Sequence, residues 1–221
     1  GDSVNKEWSE LNKSVQVYLK KSETFNTGIE TLLLLRKSML NKILELRDSL
    51  SDEDLYSMPF KNAKGYHSKS IAYSLWHIFR IEDIVAHTLI KGDEQVFFKD
   101  NYKVRTCSPI ITTGNELNPE EIFAFSKSLN TAELFSYISD VEKSTTEILL
   151  SLKFEDLKKK VSEINRQELE NLKVVSNSEE ALWLIDYWCG KDIKGLIQMP
   201  FSRHWIMHIE ACLRIATKIA K

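Results

Sequence analysis

Pro200-Phe201-Ser202-Arg203-His204-Trp205-Ile206-Met207-His208 opens the C-terminal stretch of the chain, and from Phe201 to Ile219 no Gly or Pro interrupts it. Proline is tolerated in the first turn of a helix, where its missing N–H has no intrahelical acceptor. The spacing therefore predicts a helix over about 200–219. His204 and His208 stand four apart, which sets both imidazoles on one helical face with Cβ atoms about 5–6 Å apart. Ala211, Ile215 and Ile219 continue the same stripe, so beyond the histidines the face is apolar and should turn inward. Each buried imidazole then brings two ring nitrogens that need partners.

The rest of the chain extends this helical reading. Only 7 Gly and 4 Pro occur in 221 residues, too few for the frequent turns of an all-β fold. Periodicity predicts an opening helix over about 3–20, on Trp8, Leu11, Val15 and Leu19, and a longer one over about 24–49. Ser51-Asp52-Glu53-Asp54 reads as a cap and turn, and Pro59 stops any continuation. A polar loop over about 61–69 precedes a helix over about 70–91, capped by Ser68 or Ser70 and ended by Gly92. Residues 93–117 read as irregular, with Pro109 and Gly114. Asn118-Pro119-Glu120-Glu121 has the pattern of a helix start, and Asn130 with Glu133 opens a helix over about 131–152. The charged stretch 153–177 is ambiguous between helix and a short extended piece at Val174-Val175. Ser176 with Glu179 then begins a helix over about 178–189, closed by Gly190. Four helices of about 20 residues with smaller ones between them point to an antiparallel all-α bundle, one domain over 1–221.

Composition excludes several classes of function. The net charge is −2, from 30 basic and 32 acidic side chains, so the excess of Lys and Arg expected of a nucleic-acid binder is missing. Lys158-Lys159-Lys160, flanked by Glu155, Asp156 and Glu163, reads as a solvated helix end. The longest aliphatic run, Leu32 to Leu35, is too short to span a bilayer. Cys107, Cys189 and Cys212 are odd in number and widely spaced, which fits reduced thiols in a cytoplasmic protein. Gly1 in place of Met reads as the remnant of a cleaved expression tag.

A third histidine completes a candidate site. His77 lies in Ile71-Ala72-Tyr73-Ser74-Leu75-Trp76-His77-Ile78-Phe79-Arg80, and its stripe of Tyr73, Ile81, Ile84 and Thr88 also faces packing. Bundle metal sites draw ligands from facing helices. His77, His204 and His208 would offer three neutral nitrogens to one divalent ion and leave coordination positions open, as catalytic sites do. Zinc and nickel lead as candidates, with iron and manganese next, because imidazole suits them all. His87 falls on another side of its helix and His67 on the loop, so neither belongs to the set. Trp205 stands where a His-Glu-x-x-His peptidase carries its general base, which excludes that mechanism. Arg80, Glu82, Asp83, Arg203 and Glu210 read as helix-surface charges, with orientation of an imidazole by one of the acids as the alternative. Trp76 and Trp205 read as core or pocket wall.

Ser74-Leu75-Trp76-His77-Ile78-Phe79-Arg80-Ile81-Glu82-Asp83 and Pro200–His208 resemble the two signature helices of the DinB/YfiT-like superfamily, and Leu50–Leu55 resembles that family's first interhelix turn. The resemblance covers about residues 24–219 and implies an antiparallel four-helix bundle with an extra N-terminal helix and short additional helices. It also implies a three-histidine metal site on His77, His204 and His208. Some members are thiol S-transferases that use bacillithiol or mycothiol, others resemble maleylpyruvate isomerase, and many have no known reaction. The partner this implies is a small-molecule substrate, of which a low-molecular-weight thiol is one option, with a homodimer as an open alternative; composition, as above, speaks against nucleic acid and membrane. The N-terminal helix and the long section 93–130 exceed a minimal member. The competing class is a non-catalytic bundle, with or without metal, that works through partner contacts.

Overall fold

The structure, a computed structural model, describes residues 2–221. Among them the secondary structure is helical throughout, with only an isolated bridge between Lys160 and Asp192. The helices are α1 (Asp2–Tyr18), α2 (Phe25–Ser49), α3 (Asp52–Tyr56), α4 (Ile71–Asp83), α5 (Val96–Lys99) and α6 (Tyr102–Arg105). They continue as α7 (Pro119–Ser128), α8 (Thr131–Ser151), α9 (Glu163–Leu172), α10 (Glu179–Cys189), α11 (Ile193–Gln198) and α12 (His204–Ala220).

The helix starts follow from local chemistry. Ser51 with Asp54, and Asn118 with Glu121, close reciprocal capping boxes on α3 and α7. Of the two candidate serines it is Ser70 that caps α4, accepting from the Tyr73 N–H. Gly92, at φ +73, terminates the helical run after α4 in the left-handed region, with its N–H on the His87 carbonyl. The section 93–117 is less irregular than expected, since α5 and α6 form single turns within it. In 153–177, α9 takes the helical option. Val174 and Val175 form no strand, although the Val174 carbonyl accepts from the Thr113 N–H.

Two departures from regular helix flank the histidine-bearing segments. Residues Ile84–Lys91 continue α4 as a π-helix, and Met199–Arg203 join α11 to α12 in the same wide form. Pro200 cannot donate to a normal i−4 carbonyl, which explains the widening at its site. Such segments are rare and concentrate at functional sites. The last helical run accordingly begins before Pro200, at Ile193, rather than at the proline.

α2, α8, α4 and α12 touch in a closed ring: α2 to α8, α8 to α4, α4 to α12 and α12 to α2. α1 packs along α2, where the Trp8 indole donates to Ser38 Oγ at 3.0 Å. α4 is central, with every residue from Ile71 to Asp83 buried. The apolar stripe assigned to His77 is therefore not distinctive, because the whole circumference of its helix is covered.

That burial corrects the reading of Arg80, Glu82 and Asp83 as surface charges. All three are fully buried, and only Arg203 and Glu210 are exposed. Arg36 of α2 meets Glu82 with two parallel hydrogen bonds of 2.7 and 2.9 Å. Trp205 Nε1 and Thr145 Oγ1 each donate to the same carboxylate at 2.9 Å. Arg36 also donates to the Phe201 carbonyl at 2.9 Å and lies 4.3 Å from the Trp205 ring. One carboxylate thus joins α2, α4, α8 and α12. Asp83 accepts from the Val96 and Phe97 N–H groups, both at 2.9 Å, and from the Tyr137 hydroxyl at 2.7 Å, fixing the start of α5.

Removing one partner of a buried pair leaves an uncompensated charge. Arg36→Met should therefore lower the unfolding free energy by about 3–5 kcal/mol in urea titration. Arg47→Ala, which breaks the exposed pair with Asp48, should leave the midpoint unchanged.

Candidate metal centre

α4 supplies His77, and the first two turns of α12 supply His204 and His208. The three rings converge, with centroids 4.9 Å (77–204), 4.8 Å (77–208) and 4.4 Å (204–208) apart. One nitrogen from each lies within 4.8 Å of the others, and the side chains are only 5–7% exposed. The three residues singled out by spacing are brought together.

His77 is oriented by an unusual zipper. Tyr73, Trp76, His77 and Arg80 lie on one face of α4, and each donates to a carbonyl of the strap 111–114. The Tyr73 hydroxyl reaches Gly114 at 2.8 Å, Trp76 Nε1 reaches Thr112 at 3.1 Å, and Arg80 reaches Ile111 at 2.7 and 3.1 Å. His77 Nδ1 lies 3.0 Å from the Thr113 carbonyl, an acceptor only, so the ring proton sits on Nδ1. His77 Nε2 is left with a bare lone pair facing the other two rings. The strap turns at Gly114, at φ +81, where a Cβ would come within 2.9 Å of the Tyr73 ring.

His204 Nε2 stands 3.1 Å from His77 Nε2. Two nitrogens bound to one ion at 2.0–2.1 Å would be about 3.3 Å apart in a tetrahedron and about 2.9 Å apart at adjacent octahedral corners. The observed separation falls between them. His204 Nδ1 and His208 Nδ1 are buried without a hydrogen-bond partner. Burial holds all three imidazoles neutral: His77 is pushed down to about 4, and His204 and His208 well below the usual range. The Lys69 ammonium pushes His77 and His208 in the same direction. Neutral, desolvated imidazoles are the donor set that a divalent cation requires, and the group could hold a metal ion.

The site forms the floor of a cleft of about 220 Å³, whose lining includes Tyr66, Asn115, Trp183, Tyr187 and Met207. Among the described residues no Asp or Glu lines it, and no carboxylate hydrogen-bonds any of these three imidazoles, so the alternative role for Glu82, Asp83 or Glu210 also fails. Trp205 points into the core onto Glu82, and no general base stands in its place. His87 is engaged elsewhere, with Asp93 and Ser144 both at 2.6 Å, and His67 packs on Phe60 with ring centroids 5.1 Å apart. Trp76 and Trp205 are core residues rather than cleft walls. The Thr113 carbonyl and the aromatic rim were not found from sequence. Any residue supplies a carbonyl, and the only available signal for the strap was Gly114 after two threonines.

The depressed imidazoles couple stability to pH. Above about 6.5 the three rings are neutral in both folded and unfolded chains, and the folded state carries no penalty. As pH falls from about 6.5 toward about 4, the unfolded chain takes up protons that folded His77 refuses, and stability drops. The His77 shift alone corresponds to about 3 kcal/mol lost by metal-free protein across that window in urea titrations. His77→Gln should reduce the slope, with His204 and His208 keeping the remainder.

Compared with known proteins, the chain matches no family model and no curated protein.

Proposed function

We propose that this chain is a metal-dependent enzyme of the DinB/YfiT-like type, an antiparallel four-helix bundle that binds one divalent ion on His77, His204 and His208. The observation that carries the reading is the convergence of three neutral, buried imidazoles on the floor of a cleft whose lining, among the described residues, adds no further His, Cys, Asp or Glu. A closed structural site would use four. Zinc and nickel fit the donors best, with iron and manganese next.

When bound, the ion supplies Lewis-acid chemistry, lowering the pKa of a water or thiol that joins its open positions. The chain's own residues do the rest. Thr113 holds His77 in the tautomer whose Nε2 lone pair faces the site. α12 keeps His204 and His208 one turn apart. The surrounding aromatic and methionine side chains limit water and lower the local dielectric. Three neutral ligands leave the ion's charge undiminished, which favours an anionic nucleophile. The resemblance in 74–83 and 200–208 supports transfer of a low-molecular-weight thiol to an electrophile as the reaction. The free Cys107, Cys189 and Cys212 fit a reducing compartment such as the cytoplasm.

A second reading has its own observation. The 3.1 Å approach of His204 Nε2 to His77 Nε2 also suits an imidazole–imidazole hydrogen bond in a metal-free bundle that acts through partners. Purification without a nickel column separates the two. The enzyme reading expects about one ion per chain and metal-dependent turnover of a thiol–electrophile pair, lowered at least about 100-fold in His204→Ala. A metal-free protein of unchanged melting temperature favours the scaffold. Silence with every common small thiol removes the transferase.

A further inference from the structure

The mouth of the cleft is built from aromatic residues that no packing requirement explains. Trp183 is 52% exposed, Tyr66 50% and Tyr187 37%, and all three line the same opening. Trp183 and Tyr187 lie one turn apart on α10, edge to face with ring centroids at 5.5 Å. The indole is held in place by its N–H on the Glu180 carbonyl at 3.0 Å. Tyr66 opens a 3-10 turn (Tyr66–Ser68) before α4 and rests against the His208 ring, with centroids 4.7 Å apart. Below the rim the walls are Leu184, Trp188, Met199 and Met207. Apart from the histidines and the tyrosine hydroxyls, Asn115 is the polar side chain of the lining, which contains no Lys, Arg, Asp or Glu.

Scattered exposed apolar side chains are ordinary, but aromatics converging on a concave site are the usual means of gripping a flat ligand. The cleft's 220 Å³ corresponds to about seven waters at liquid density, room for a single ring with a short substituent. We infer that the cleft recognises a small molecule with one aromatic body, gripped by Trp183, Tyr187 and Tyr66, and one donor head directed at His77, His204 and His208. A single anionic donor would neutralise part of the ion's charge. The inference rests on the proposed metal and names the substrate class for that site.

Cobalt-loaded protein tests it without an assay of activity. Phenylmethanethiol and 2-mercaptoethanol present the same thiol head and differ in the aromatic body. Each is titrated while the sulfur-to-cobalt charge-transfer band is followed, with cobalt content measured in parallel. Phenylmethanethiol should bind at least about tenfold more tightly. Trp183→Ala, at a half-exposed position that the fold does not need, should reduce that advantage to about twofold. Cobalt content and the affinity for 2-mercaptoethanol should stay unchanged in the variant. Leu150→Ala, at an exposed apolar position outside the cleft lining, should change neither. Equal affinities for the two thiols, a preference that survives both Trp183→Ala and Tyr187→Ala, or a silent spectrum with cobalt bound would each overturn the inference and leave the metal site standing. Failure to take up cobalt at all would instead remove the metal reading, and this inference with it.

Discussion

The carboxylate of Glu82 is the point through which the bundle is held in register. Arg36, Thr145 and Trp205 reach it from α2, α8 and α12, all within hydrogen-bond distance and away from water. Such a cluster contributes little net stability relative to a well-packed apolar core, because desolvating the charges costs about as much as their attraction returns. What it provides is specificity. A shift of α12 along α4 would strand a buried charge, whereas an apolar contact would tolerate sliding. Since Trp205 follows His204 directly and Glu82 lies five residues after His77, the register that satisfies the carboxylate also sets the two histidine-bearing segments against each other.

Orientation is a separate matter from register, and the strap 111–114 supplies it. Donors from Tyr73, Trp76, His77 and Arg80 meet four successive carbonyls of a segment that would otherwise be an unstructured loop. Arg80 is further held by Gln95 and Tyr137, both at 3.0 Å, and stacks 4.0 Å from the Phe97 ring. The strap is thus part of the core, and the tautomer of His77 is fixed by the same contacts that seat it. The cleft's rim is built differently, from the turn before α4 and the exposed side of α10, where the aromatic side chains stand partly open to solvent.

How much was legible in the sequence follows from where the information lies. Helix positions came through because caps and periodicity are local: Asn118 with Glu121, Ser70 and Gly92 act as expected. The histidine pair on α12 came through because four-residue spacing fixes a face; His77 lay on a helix whose apolar run signalled burial, although its stripe did not single out a face. Arg80, Glu82 and Asp83 were misread because charge predicts exposure unless the partner is known. Their partners Arg36, Ile111, Tyr137 and the α5 amides lie 13 to 57 residues away. The π-helical turns and the short helices of 93–117 depend on tertiary contacts in the same way. Trp183 and Tyr187 gave no signal, since an exposed aromatic pair reads as noise until the cleft beneath it is seen.

The account stands on one ion shared by three imidazoles. X-ray absorption at the edge of the metal that accompanies the native protein measures that shell directly. The prediction is a scattering pattern of about three imidazole rings with first-shell nitrogens at about 2.0–2.1 Å, completed by light atoms, and losing one ring in His77→Ala. A shell of oxygen scatterers alone, or one unchanged by that substitution, would place any metal elsewhere and contradict the site.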